Sequence, residues 1–155
     1  MSNPKRSQSN NPPLKLDEFL CFAVYSANHA FNRVYKPLLD ELHMTYPQYL
    51  VMVQLWDNDG QTVGELGDRL FLESNTLTPL LKRLETLGYI KRSRDPEDER
   101  QVRVRLTERG RTLRAKAVHI PGCVLAASGL DAKRAKGLLG EIATLRQALQ
   151  NYNPD

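Results

Sequence analysis

Between residues 62 and 110 the spacing of apolar positions changes from a helical period to a strand period. Leu66 and Leu70 lie four residues apart and predict a short helix with one apolar face. Thr62 and Glu65 have the spacing of a capping box, in which each side chain bonds the backbone N–H of the other. The pattern therefore predicts a helix that begins just after Thr62.

A second helix is predicted after a short turn, with Ser74 as its N-cap and Gly88 at its end. Its apolar positions repeat with a period of 3.6 residues: Leu77, Leu80, Leu81, Leu84 and Leu87. Its other face carries hydrogen-bonding and cationic groups that suit base edges and phosphates. We expect the DNA-binding residues of this helix to be Ser74, Asn75, Thr76, Thr78, Pro79, Lys82 and Arg83.

A β-hairpin is predicted behind this pair of helices. Residues 101–106 alternate between polar and apolar side chains, residues 89–94 can pair with them, and residues 95–100 have a turn composition. At the tip, Arg100 is suited to the negative potential of a minor groove, with Asp98 holding its side chain. Arg94 joins the same predicted surface. A solvated hairpin of mixed charge is the alternative, but the position behind two helices favours a DNA-binding wing.

Long amphipathic helices flank this unit. One is predicted over residues 16–44, kinked or split by Pro37, and another begins at Thr45 with Pro47 and Gln48 in its first turn. Thr107 predicts the start of a helix that runs to about Val118 and that Pro121 and Gly122 interrupt. Asp131 predicts the start of a last helix, which ends near Leu149. The fold class is thus mainly α with a small β-wing (α+β), a winged helix-turn-helix.

The flanking helices carry more apolar surface than one small winged core can cover, so we expect the first and last helices to form a dimerisation layer. The predicted division is a disordered tail over 1–13, a dimerisation helix or helices over 14–44, a DNA-binding region over 45–110 and dimerisation helices over 111–155. Two recognition helices related by two-fold symmetry predict a homodimer on a pseudo-palindromic operator, in major grooves about 34 Å apart. Packing of these helices on their own subunit is the alternative.

Charge is unevenly distributed along the chain. The net charge is only +4 over 155 residues. Residues 15–60 contain six acidic and three basic side chains, whereas residues 91–116 contain ten basic and five acidic ones. Positive charge is therefore concentrated around the predicted wing, as expected for a nucleic-acid partner.

Composition argues against several other classes. No apolar run approaches the ~18 residues of a membrane helix, and the first residues lack the apolar region of a signal peptide. We therefore expect a cytoplasmic protein with no membrane partner, whose two cysteines are reduced at rest. His29, His43 and His119 share no spacing typical of a metal site, and no cofactor is predicted.

Cys21 lies in the first long helix, where a cysteine beside Leu20 and Phe22 is ordinarily a small buried hydrophobe. Tyrosines at positions 25, 35 and 46 suggest another interpretation, since a phenol that donates a hydrogen bond to sulfur favours the reactive thiolate. Tyr25 is one turn away on the same face. Tyr35 is fourteen residues on, ~21 Å along a continuous helix, so it would reach the Cys21 of an antiparallel partner and not its own. A sharp bend before Tyr35 would undo that inference.

The sequence resembles the MarR family of winged-helix repressors, and specifically its organic-hydroperoxide-sensing, OhrR-like branch. The resemblance covers Leu14 to about Leu149. It rests on four segments: LCFAVYSAN at 20–28, TYPQYL at 45–50, LTPLLKRLE at 77–85 and DERQV at 98–102. The wing motif is common to the wider family, whereas the cysteine with its tyrosines is specific to the branch.

The resemblance implies roles for individual residues. Cys21 would be the peroxidatic thiol, with Tyr35 and Tyr46 bonding it from the other subunit and Tyr25 lining the same pocket. Cys123 would be the resolving thiol of the two-cysteine type, pairing with the partner's Cys21. A free thiol beside the Pro121–Gly122 kink is the alternative for Cys123. The candidates for the aliphatic lining of the peroxide pocket are Phe22, Leu50 and Met52.

The function that follows is a transcriptional repressor that an organic hydroperoxide releases from double-stranded DNA. A related repressor controlled by a phenolic or drug-like ligand, with incidental cysteines, is the first alternative. A basic thiol peroxidase is the second, and the absence of a thioredoxin-like C-x-x-C pattern argues against it. We therefore expect a regulator and not an enzyme.

Overall fold

The computed structural model describes Pro12 and residues 14–154, so the predicted tail over 1–13 lies outside the described residues except for Pro12. The described chain contains seven α-helices and one two-stranded sheet. In chain order these are α1 (Leu20–Asp40), α2 (Tyr46–Asp57), α3 (Val63–Leu70), α4 (Ser74–Thr86), β1 (Ile90–Arg94), β2 (Val102–Leu106), α5 (Glu108–Ala117), α6 (Ile120–Ser128) and α7 (Ala132–Gln150). The mainly α winged helix-turn-helix is confirmed.

Local signals define the helix starts. Thr62 and Glu65 form the predicted capping box: Thr62 N–H donates to Glu65 Oε2 at 2.8 Å, and Glu65 N–H donates to Thr62 Oγ1 at 3.1 Å. A second capping box joins Thr45 and Gln48 at the start of α2. Because each box satisfies orphan backbone donors of a first turn, these helices begin where the sequence indicates.

The core lies between α2, α3, α4, the wing, α5 and the start of α6. Fully buried side chains from α2, α3, α4, β2 and α6 include Val51, Met52, Leu55, Leu66, Leu77, Leu81, Leu84, Val104 and Ile120. The wing strands pair antiparallel, from Ile90 opposite Leu106 to Arg94 opposite Val102. Backbone bonding from Val104 N–H to Gln61 O, at 2.8 Å, attaches β2 to the residues before α3.

The first long helix covers Leu20–Asp40 and not the predicted residues 16–44, because Leu16–Glu18 form a separate 3₁₀ helix and His43 has a positive φ of 58°. Three further features differ from the sequence predictions. Pro37 does not split α1, which continues as one helix to Asp40. The proline removes one backbone hydrogen bond near the end of the helix, and the helix tolerates this loss. The N-cap of α4 is Glu73 and not Ser74: the carbonyl of Glu73 accepts the N–H groups of Thr76 and Leu77, and Ser74 is already helical.

The third difference is that Pro121 lies in the first turn of a separate helix, α6, and does not interrupt one. The first turn of a helix tolerates proline, because a backbone N–H at that position would have no partner within the helix.

Candidate nucleic-acid interface and thiol site

The recognition helix α4 presents its polar face to solvent. Its apolar face is held by Leu77, Leu81 and Leu84, which are fully buried. The side chains of the opposite face are exposed, except Thr78, which is half-buried and donates its hydroxyl to the Ser74 carbonyl at 2.7 Å. The exposed predicted DNA contacts of this helix are Ser74, Asn75, Thr76, Pro79, Lys82 and Arg83. They are accessible to a duplex lying across α4.

A cleft of about 410 Å³ separates the first turns of α3 and α4 from the wing. Ser74 and Thr78 line it from α4, and Arg100 lines it from the wing tip. The fold therefore brings these three predicted residues together, whereas Lys82, Arg83 and Arg94 lie outside the cleft. Its wall also contains residues that the sequence analysis did not assign to DNA binding: Thr62, Gly64, Arg92 and Gln101.

At the wing tip Asp98 holds Arg100 by two hydrogen bonds. Arg100 Nε donates to Asp98 Oδ1 at 3.0 Å, and a terminal nitrogen donates to Oδ2 at 3.3 Å. These bonds lower the pKa of Asp98 below its ordinary value, so the carboxylate stays ionised. The side chain of Arg100 is 91% exposed. The predicted orientation of Arg100 by Asp98 is present in the structure.

Two further ion pairs stabilise the wing and its attachment to the body. At its base, Arg103 bonds Asp95 and also donates to the carbonyl of Gly60 at 2.5 Å. The bond from Arg103 lowers the pKa of Asp95. From α4, Glu85 accepts the backbone N–H of Arg92 at 2.8 Å and its guanidinium at 3.2 Å. The recognition helix is thereby linked to β1, and β2 is linked to the turn before α3.

Cys21 lies in the first turns of α1 with its side chain exposed. It is therefore not a buried hydrophobe of its own chain. The helix is continuous from Leu20 to Asp40, so Tyr35 lies ~21 Å along the axis from Cys21, beyond its reach within one chain. Tyr25, one turn from Cys21, is 62% exposed and contacts His29 edge to face at 4.4 Å.

Tyr35 and Tyr46 come together where α1 meets α2. Their ring centroids are 4.6 Å apart, and Tyr49, which the sequence analysis did not single out, packs 5.8 Å from Tyr35. Burial, reinforced by Tyr46 and Tyr49, raises the pKa of Tyr35 to about 12. Burial also raises the pKa of Tyr46. Both phenols therefore remain protonated near neutral pH and keep a proton to donate.

A cavity of about 330 Å³ opens beside this pair, with Tyr35, Tyr46, Leu39 and Met44 on its wall. The three residues expected to form an aliphatic lining do not line this cavity. Met52 is fully buried in the core, which contradicts its assignment to an accessible pocket. Phe22 and Leu50 are half-buried.

Cys123 is exposed on α6, a helix that packs against α1. Its thiol is therefore accessible to solvent. Among the described residues, no group of three or more His, Cys, Asp or Glu side chains could hold a metal ion. Within the same part of the chain, no helix has both the length and the apolar character needed to cross a membrane.

The first and last helices leave apolar side chains uncovered. Over the described chain, α7 contains no buried residue, and α1 contains only Leu39. A groove of about 570 Å³ between them is lined almost wholly by apolar side chains, including Leu20, Phe31 and Ile142. One chain by itself therefore leaves these apolar faces open, and the dimerisation layer over the first and last helices stays a prediction.

Comparison with known proteins agrees with this geometry. The family described as "Transcriptional regulator SarA/Rot" matches residues 33–116. The chain is 50% identical over 137 residues to the HTH-type transcriptional regulator TtmR of Methylorubrum extorquens, which covers 88% of this chain and 70% of that protein. It is 45% identical over 140 residues to the organic hydroperoxide resistance transcriptional regulator of Bacillus subtilis, covering 90% and 95%.

A solved structure adds a DNA complex. Reduced AbfR bound to DNA, from a protein of Staphylococcus epidermidis, has a TM-score of 0.72 and 34% identity, covering 86% of this chain and 93% of that one. The disulfide form of AbfR gives a TM-score of 0.59 at 37% identity, covering 84% and 87%. This chain belongs to the SarA/Rot family of MarR-like winged-helix transcriptional regulators. The similarity to the Bacillus subtilis regulator supports its place in the OhrR-like branch.

Proposed function

We propose that this regulator is a homodimeric repressor that senses organic hydroperoxides through Cys21 and then releases its operator. The observation that carries the proposal is the pair Tyr35 and Tyr46. Both phenols stay protonated beside an open cavity. Tyr35 lies ~21 Å along α1 from the Cys21 of its own chain, and Tyr46 packs against Tyr35. They are therefore available to the Cys21 of a second copy.

The dimer is supported by the uncovered apolar faces of α1 and α7. A soluble monomer rarely exposes an apolar surface of this extent, since burying it against a second copy is favourable. In an antiparallel arrangement of two α1 helices, the Cys21 end of one chain faces the Tyr35 end of the other. Donation from the two phenols then stabilises the thiolate, which is the form that attacks a peroxide.

The chemistry has two steps. The Cys21 thiolate attacks the outer oxygen of the hydroperoxide, the O–O bond breaks, and a proton is taken up, giving a sulfenic acid and an alcohol. The Cys123 thiol of the partner then attacks the sulfenic sulfur, which forms a disulfide and releases water. Because a disulfide requires Cα atoms about 4.4 to 6.8 Å apart, its formation restrains the separation and relative orientation of the two chains.

DNA release follows from that restraint. In the reduced dimer each α4 lies in a major groove and each Arg100 reaches a minor groove. A change in the separation of the two winged units removes several phosphate contacts at once, which weakens binding by orders of magnitude. The Bacillus subtilis relative, a regulator of organic hydroperoxide resistance, and the reduced and disulfide forms of AbfR support this sequence of events.

The test uses a duplex that reduced wild-type protein selects from a library with a random core. Binding to this duplex is measured before and after addition of cumene hydroperoxide, and samples are run on a non-reducing gel. We expect wild type to lose DNA binding as a dithiothreitol-sensitive dimer band appears. Cys21→Ser should bind DNA and ignore peroxide. Cys123→Ser should form the sulfenic acid without the dimer band. A Cys21→Ser protein that still releases DNA on peroxide treatment would disprove the mechanism.

A second candidate, control by reversible binding of a phenolic ligand, is favoured by one observation. A cavity of about 340 Å³ between α2 and α5 combines an aromatic wall, Tyr49 and Trp56, with the guanidinium of Arg114. Salicylate tests it: release of DNA from the Cys21→Ser protein by salicylate, together with no response of wild type to peroxide, would favour this function.

A further inference from the structure

The last helix contacts the helix-turn-helix through a cation–π pair. The guanidinium carbon of Arg146, on α7, lies 4.3 Å from the ring centroid of Phe71, the residue that ends α3. This separation is well within the ~6 Å over which a cation is attracted to an aromatic face. A helix that we assign to dimerisation therefore contacts the turn that leads into the recognition helix.

The backbone of this turn is tightly constrained. Phe71 has φ 57° and ψ 39°, a left-handed conformation that is uncommon for a bulky residue. The N–H groups of Phe71 and Leu72 both bond the carbonyl of Gly67. A Cβ at Gly67 would lie 2.7 Å from the carbonyl oxygen of Leu72, so the close approach requires glycine. These contacts leave the turn little freedom to change shape.

The same backbone conformation directs the Phe71 ring away from the core. The ring is 55% exposed, although a phenylalanine ordinarily gains free energy by burial. Arg146 covers one face of it. Packing of the core does not explain this arrangement, because the ring lies outside the core. The unusual backbone conformation of Phe71 instead places the ring against the cation of Arg146.

We propose that Arg146 and Phe71 are a positioning pair, by which α7 fixes the orientation of the recognition helix before DNA is bound. Residues 71–73 are the whole connection between α3 and α4. Any displacement of Phe71 therefore reaches the first turn of α4, which carries Ser74 and Asn75. Preorganisation of this kind raises affinity by lowering the cost of ordering the bound conformation.

The proposal requires that α4 binds DNA, but it is independent of the cysteines and of peroxide. It is therefore tested on fully reduced protein in dithiothreitol, with the duplex selected by wild type as the probe. The variants are Arg146→Met, Phe71→Leu and the double variant, and Arg134→Met on the exposed first turn of α7 is the matched control. Arg146→Lys keeps the cation and tests for partial rescue.

An exposed cation–π pair corresponds to a factor of about two to five in an equilibrium constant, and a dimer has two such pairs. We therefore expect Arg146→Met and Phe71→Leu each to weaken DNA binding by up to about 25-fold, with no further loss in the double variant. The salt dependence of binding should stay that of wild type, since neither residue contacts phosphate. The amide of Leu72 should exchange hydrogen faster in Arg146→Met.

Three results would overturn the proposal. Additive losses in the double variant would show that the two side chains act separately. A fall of about 1.8 in the slope of log affinity against log salt would show that Arg146 binds phosphate itself in both protomers. If Arg146→Met lost no more DNA affinity than Arg134→Met, the loss would be a general effect of removing one positive charge. Failure of the wild-type protein to select any duplex is a separate outcome, which would overturn the proposed DNA-binding function together with this inference.

Discussion

Tyr35 and Tyr46 belong to different helices, yet their ring centroids lie 4.6 Å apart at the edge of an open cavity. We expect Tyr35→Phe and Tyr46→Phe each to slow the oxidation of Cys21 by cumene hydroperoxide about tenfold or more, because a hydrogen bond to a charged group is lost. Reduced protein should still bind DNA. Stopped-flow detection of sulfenic acid measures the rate.

The exposed Tyr152→Phe is the matched control for this experiment and should react like wild type. Wild-type rates in both variants of the pair would show that the phenols do not serve the sulfur.

The pKa of Tyr35 gives a pH dependence with a definite sign. Burial raises this pKa from 10 to about 12, so the folded state holds the phenolic proton more tightly than the unfolded state does. The stabilisation is fully present below pH 10 and is lost as the pH rises towards 12. We expect the free energy of unfolding of wild type to fall more steeply than that of Tyr35→Phe across this range.

Urea denaturation at a fixed protein concentration, at several pH values above about 9, measures this difference. Parallel curves for the two proteins would contradict it.

A substitution at Asp98 separates two effects on DNA binding: the positioning of Arg100 and the net charge of the wing. Removing an acidic charge should by itself strengthen binding to a polyanion. Asp98→Asn, however, leaves the exposed Arg100 without its bidentate partner, so we expect DNA binding about two- to tenfold weaker. Glu99→Gln makes the same charge change at the exposed neighbouring position and should bind equally well or more tightly. Tighter binding by both variants would mean that the ion pair does not orient Arg100.

Gly110 is required by packing, not by backbone conformation. A Cβ at this position would collide with the carbonyl oxygen of Tyr89, and the Gly110 carbonyl accepts the indole N–H of Trp56 at 2.8 Å. We expect Gly110→Ala to lower the free energy of unfolding by about 1–3 kcal/mol or more. Gly64→Ala, whose Cβ would meet its nearest neighbour, Thr62 Oγ1, at 3.9 Å, should be close to neutral. Equal stabilities in urea would disprove the steric argument.

The features that the sequence predicts correctly depend on neighbouring residues. The Thr62–Glu65 capping box, the alternation along β2 and the Asp98–Arg100 pair each involve positions no more than a few residues apart. Even so, the sequence predicts a helix break at Pro121, which lies in the first turn of α6, because a proline signals either a helix end or a first turn.

The features that the sequence does not reveal depend on contacts between distant positions. Tyr49 completes the tyrosine cluster only after α2 has packed on α1. Glu85 meets Arg92 across a turn, and nothing in a phenylalanine indicates that Phe71 will be left-handed. Met52 has the apolar character expected of a pocket lining, but its helix turns it into the core.

The attachment of the wing limits how an operator can be released. Backbone bonding joins β2 to the residues before α3, Glu85 joins α4 to β1, and Asp59 accepts the N–H of Leu106 at 2.8 Å. Each attachment restricts movement of the hairpin relative to the helices. We therefore expect the recognition helix and the hairpin to leave the DNA together when the proposed repressor is oxidised.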